Sequence, residues 1–548
     1  MLIKIRLGFV KISTFIPLGF IKNCIVIRLG FIKIYYFCRR NHQWNKMEKY
    51  IERPIDTLLL EWKNSKRLKP LLLRGARQVG KSSAVKHLGE TFDYFIEVNF
   101  EKRPDMLEVF QKIHDVHDLA NNLSMLFNTP VIPGKTLLFL DEIQASADAI
   151  KSLWSFKEDF PELHVVAAGS LLEFTLKELP SFGVGRIRSL FVYPFSFDEF
   201  LVAEGKSAWV KAKKEANTEK PLLTALHNDL VQHFRTFLMV GGMPASVAAW
   251  VSTHDYRQCQ TELDDIQLTY YDDFPKYAKK VDPTLLRNTL QSVVMQIGEK
   301  FTYSHVEGGY RAEEVKKALK LLCDAGIIKR VSHTAGNGLP LGAEVNDKYR
   351  KYLYLDSGLL LRIFDLDLGG ARQLTDMILA GTAEDLVNKG GLTEMVLGWE
   401  LIKYNNPRSQ HELYYWENTA EGTRSEVDYI IARDMKVLPI ECKAGMSGKM
   451  KSLYEFMRQK HLTEAVRCSL ENFAELEHCD KKDSGALRHV KILPLFAISN
   501  LYDETEDTTM CAKKAQQEID QMWEDGTLNQ EKLDEFRGQH LRTPYKTV

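Results

Sequence analysis

One stretch narrows the possible folds more than any other: Leu71-Leu72-Leu73-Arg74-Gly75-Ala76-Arg77-Gln78-Val79-Gly80-Lys81-Ser82. It reads as an apolar strand, a glycine-bounded loop and the start of a helix over 81–89. Gly75, Gly80, Lys81 and Ser82 carry the phosphate-loop spacing G-x-x-x-x-G-K-[ST]. The glycines permit a bend that a Cβ would obstruct. Loop N–H groups and the helix N-terminus then point at phosphate oxygens. Lys81 is expected to reach the β/γ-phosphates. Ser82, with Ser83 beside it, is expected to face Mg²⁺.

The strands that follow extend this reading. Tyr94 to Asn99 is a candidate strand, and Thr136 to Ile143 is an apolar run ending in Asp141 and Glu142. Such a run suits a strand buried on both faces of a parallel sheet. Asp141 is placed to hold Mg²⁺ through water, and Glu142 to orient or deprotonate an attacking water. A further buried strand, His164 to Ser170, ends in a hydroxyl that could sense the terminal phosphate. The implied ligand is ATP with Mg²⁺.

Composition excludes little. Lys+Arg and Asp+Glu stand at 73 each, so a polyanionic partner would need a local patch. The eight cysteines include no C-x-x-C pair, which suits a reducing, cytoplasmic setting better than a disulfide framework. Before Met47, the sequences Arg6 to Lys11, Pro17 to Lys22 and Arg28 to Lys33 repeat with a period of eleven. Basic residues interrupt every apolar run there, so no spanning helix is expected. Residues 1–46 are expected to lie outside the working fold, with Met47 a plausible start. The runner-up is a basic membrane-surface arm.

Further blocks occur at Leu140-Asp141-Glu142-Ile143-Gln144, Ala168-Gly169-Ser170-Leu171-Leu172-Glu173, Gly185-Arg186, Pro194 to Phe200 and Gly241-Gly242-Met243-Pro244. With the phosphate loop, they resemble bacterial and archaeal AAA-type ATPases whose C-terminal half is a domain of uncharacterised function. The resemblance spans roughly Met47 to Leu501. It implies Ser170 as the sensor and Arg186 as an arginine finger, with Arg188 in reserve. A finger supplied by a neighbour would require a homo-oligomer.

The expected class is α/β: a P-loop parallel sheet at 47–205, a helical lid at 206–280 and a winged-helix-like linker at 281–370. A nuclease-like domain at 371–501 and a polar helical tail at 502–548 complete it. In the linker, a helix over 311–325 precedes a strand hairpin. Such a helix could enter a DNA groove, but Glu313 and Glu314 favour a packing module.

In the last large domain, strands 425–431 and 437–443 form an expected hairpin about a turn at Arg433 to Lys436. Asp428 then faces Glu441, and alternation puts Glu426, Asp428, Glu441 and Lys443 on one face. Val427, Tyr429, Leu438, Ile440 and Cys442 fall on the other. Two facing acids with a nearby lysine could bind a divalent metal and steady a water for phosphodiester attack. This D…E-x-K pattern resembles restriction-endonuclease-like nucleases, which implies Glu394 as an accessory acid. Three functions remain open: an ATPase driving rearrangement, an ATP-regulated nuclease of DNA or RNA, and a non-cleaving nucleotide-gated scaffold.

Overall fold

The computed structural model describes residues 5–7, 10–12, 27–29, 32–34, 50–170, 172–178, 185–277, 281–368, 389–418, 425–443 and 450–502. Residues 1–50 and 51–548 are separate units. In the first, Ile5–Leu7 pairs with Val10–Ile12, and Ile27–Leu29 with Ile32–Ile34, both antiparallel. These ladders fall on the first and third copies of the repeat; the middle copy and the polar tail lie outside the described residues.

The larger unit begins with a five-stranded, all-parallel sheet. Its spatial order is Tyr94–Asn99, Thr136–Asp141, His164–Ala168, Leu71–Arg74, Arg188–Phe191. Strand periodicity divides its side chains between two cores. Leu71, Leu73, Leu137, Phe139, Val166 and Ala168 enter one. Leu72, Leu138, Leu140, Val165 and Ala167 enter the other. The first strand in sequence lies between the fourth and fifth. The crossovers therefore diverge beside it, and the carboxyl edge opens a crevice there.

Helices Thr224–Val240, Pro244–Thr253 and Tyr256–Asp273 fill the region expected to be a lid. Helix Ala312–Asp324 follows, and then the antiparallel pair Ile328–Thr334 and Val345–Tyr354, as the sequence suggests. The pair is not a free wing. Ile328–Thr334 also lies parallel to Leu413–Glu417, so the hairpin forms one edge of an eight-stranded mixed sheet. That sheet crosses the expected boundary near residue 370. The apolar core runs without a break from Leu71 through Leu263 and Tyr354 to Tyr429 and Val466.

The hairpin Glu426–Arg433/Lys436–Cys442 closes on Asp434 and Met435, both left-handed with φ of 48° and 59°. This is the backbone of a type I′ turn, whose twist matches that of the strands. Register pairs Tyr429 with Ile440, which continues to set Asp428 across from Glu441. Helix Lys451–Gln459 covers a small core of Trp416, Val427, Ile430 and Phe456.

Candidate functional site

The phosphate loop leaves the carboxyl edge of the parallel sheet between Arg74 and Lys81. Gly75 has φ of 143°, and a Cβ there would stand 2.1 Å from the Val192 carbonyl oxygen. No other residue fits this passage. Lys81 opens the next helix and is buried, with Nζ donating to the carbonyls of Gly75 at 3.0 Å and Ala76 at 2.6 Å. Burial pulls its ammonium down to about 8, against the attraction of Glu142 and Asp141. Among the described residues, no carboxylate is bonded to this ammonium.

Ser82 Oγ donates to Asp141 Oδ1 at 3.0 Å, and Asn99 Nδ2 donates to Oδ2 at 2.9 Å. Burial raises the Asp141 carboxyl against these bonds. Ser82 and Asp141 are therefore joined as expected for the two residues flanking a nucleotide-bound Mg²⁺. The donor set and the cradle fit that group. Glu142 adopts φ of 52°, strained for a residue with a Cβ, and accepts a 2.6 Å hydrogen bond from Gln144 Nε2. Ser170 is buried at the same edge and lines a cavity with Gly75, Ala76, Gly326 and Trp399. Ser83 is exposed on the helix after the loop.

Several supports were not legible in sequence. Arg53 donates to the Val79 carbonyl at 2.9 Å, the Tyr193 carbonyl at 2.9 Å and Glu199 Oε1 at 2.7 Å. Tyr270 donates its hydroxyl to the Arg77 carbonyl at 2.9 Å, and Arg77 Nη1 donates to Asp273 Oδ2 at 2.6 Å. The block Tyr270 to Tyr277, whose chemistry the sequence does not reveal, thus grips the loop. Gly326 closes helix Ala312–Asp324 with φ of 74°, where a Cβ would lie 3.2 Å from the Ala76 nitrogen.

Arg188, the reserve for the expected finger, begins the fifth strand, and Arg186 lies just before it. Arg188 is paired with Leu71, at the amino end of the strand that feeds the loop. Four residues of strand, roughly 13 Å, separate that level from Gly75. Arg186 lies half-exposed, with Nε donating to Glu158 Oε1 at 2.7 Å and the guanidinium over Trp154.

Residues 67–201 match the AAA domain family. This part of the chain is similar to that family. Residues 231–369 match a domain of unknown function (DUF8612), 389–485 another (DUF4143) and 510–542 a family of unknown function (DUF8507). A solved structure of the Aeropyrum pernix Orc1 protein in complex with DNA is 13% identical, over 58% of this chain and 92% of that one. Its TM-score of 0.25 is too low to carry an inference. No match was found among curated proteins. Among the described residues, no helix is long and apolar enough to cross a membrane.

Beyond residues 67–201 lies the second expected site. Carboxylate oxygens of Glu394, Glu426 and Asp428 lie within 4.8 Å of one another. The expected pair was Asp428 with Glu441. Glu441, across from Asp428 in the register, bonds Lys443 through one oxygen, while its other oxygen is buried and has no hydrogen-bond partner among the described residues. Asp428 accepts from the Cys442 N–H at 2.7 Å. Tyr429, expected on the opposite face, donates to the Glu394 carbonyl at 2.7 Å.

Lys351 was absent from the expectation. Its side chain is fully buried, with Nζ 2.9 Å from Glu394 Oε1 and also bonded to Glu426. Burial opposes its charge, but Glu394, Glu426 and Asp428 hold the ammonium well above the ordinary lysine range. Burial pushes Glu394 up to about 8 despite Lys351, and Glu441 up to about 7 with Asp428 adding to the effect. Glu394 and Glu426 thus already share a protein cation, whereas neither Asp428 nor Glu441 is bonded to it.

Proposed function

We propose that the AAA domain binds ATP with Mg²⁺, hydrolyses it and passes the change of state to the C-terminal sheet. The observation that carries this reading is the 3.0 Å bond between Ser82 and Asp141 beside a buried Lys81 whose bonds run to loop carbonyls. Mg²⁺, when bound with ATP, would offset phosphate charge. Lys81 supplies a cation for phosphate oxygens, and Glu142, steered by Gln144, orients or deprotonates water. Ser170 senses the nucleotide from its strand end. Arg186 acts only from an adjoining copy of the chain.

The route to the second sheet runs through helix Tyr256–Asp273. Tyr270 and Asp273 hold the loop, while Gln267, one turn earlier, accepts a 2.7 Å hydrogen bond from Tyr354 in the eight-stranded sheet. A loop that moves therefore pulls on a strand of the other sheet. Such coupling has physical content because both ends bias one packed element.

Phosphate release from ATP by the purified full chain tests the reading. Lys81→Ala should abolish it. Glu142→Gln should retain ATP and turn it over at least about 100-fold more slowly. Hydrolysis by Glu142→Gln at the parent rate would remove Glu142 from its assigned role. Turnover with and without DNA or RNA tests nucleic acid as a partner.

A further inference from the structure

The C-terminal acids are crowded enough to demand a cation. Glu394 comes from helix Lys389–Lys403, and Glu426 and Asp428 from strand Glu426–Arg433. Carboxylates this close repel unless a positive charge or a shared proton stands among them. In nuclease-like sites that charge would be a divalent metal.

Here the chain supplies it. Lys351 reaches in from strand Val345–Tyr354, at the far edge of the eight-stranded sheet. Its Nζ lies over the Tyr415 ring, 5.2 Å from the centroid. Nζ bonds Glu394 and Glu426, two of the three carboxylates that could have formed a metal shell. Lys443 bonds one of the two Glu441 carboxylate oxygens. A buried ammonium is stable only while paired, so Lys351 has no alternative partner in water. A divalent ion among the same oxygens would sit beside that charge and would need a nearly regular oxygen shell that Nζ interrupts.

We propose that Lys351 is the resident cation of this cluster, closing it to divalent metals and latching the middle hairpin onto the C-terminal domain. The proposal goes beyond ATP hydrolysis and does not depend on it.

Mn²⁺ binding to the nucleotide-free full chain, followed by electron paramagnetic resonance and calorimetry, tests it. The wild-type chain should show no uptake that Asp428→Asn alters. Lys351→Met should gain one equivalent, bound at least about tenfold more tightly than any wild-type uptake. Adding Asp428→Asn to Lys351→Met should remove that gain. Uptake by the wild type that Asp428→Asn abolishes would overturn the proposal, as would folded Lys351→Met with no gain. Should Lys351→Met fail to fold, wild-type melting decides instead. A rise with Mn²⁺ that Asp428→Asn cancels overturns the latch, and an unchanged melt supports it.

Discussion

The two sheets each bury a lysine near acids, and the lysines are in opposite states. Lys81 is held by carbonyls of its own loop, and burial leaves its ammonium at about 8. Lys351 is bonded to two carboxylates, which keep it charged far above the usual range. The first cation is poised for an anion from outside. The second already has its anions. Similar residue types therefore meet backbone carbonyls beside one sheet and carboxylates in the other.

The largest test exchanges each lysine for methionine. Lys81→Met should lose ATP binding in calorimetry yet leave nucleotide-free stability within about 1 kcal/mol, or raise it, since a desolvated charge is removed. Lys351→Met should cost about 3–5 kcal/mol in denaturant melts, because it strands buried carboxylates. Equal stability losses at both sites would break the comparison.

Acidity separates the sites next. Lys81 must be charged to hold phosphate, and its proton is lost as pH rises through about 8. ATP affinity should therefore fall across that range, measured by nucleotide titration at fixed Mg²⁺. Glu394 and Glu441 keep protons in the fold that the unfolded chain loses above about pH 4.5. Their contribution to stability is full below that value. It should decline as pH rises to about 7 for Glu441 and about 8 for Glu394, read from melting points.

A smaller effect tests the link between the sheets. Tyr270→Phe removes the donor to the Arg77 carbonyl and should cost about 1 kcal/mol, appearing as a weakened KM for ATP. Loss confined to kcat would place Tyr270 in a different role. The smallest effect is at Arg186, whose ion pair with Glu158 is half-exposed. Arg186→Ala should shift chain stability by less than about 0.5 kcal/mol in chemical denaturation. Any larger loss would show that the arginine holds its own chain together.

The parts legible in sequence are local. The loop spacing, the apolar strands at 71–74, 136–141 and 164–168, and the tight hairpin ahead of Lys436 all follow from neighbours along the chain. A motif does not say at which end of a strand an arginine stands. Arg188 proves level with Leu71, not with Gly75. The hairpin at 328–354 was legible as a hairpin, but its parallel partner begins at Leu413 and nothing nearby announces it.

By itself the sequence determined the phosphate cradle, its acids and the strand-by-strand alternation, since steric limits and side-chain periodicity act over a few residues. Only the tertiary structure decided that Arg53 and Tyr270 brace the loop and that Lys351 fills the acid cluster. Those contacts join residues 26, 193 and 43 positions apart. A buried charge is satisfied by whichever partner packing brings within reach, and no local pattern records which one that is.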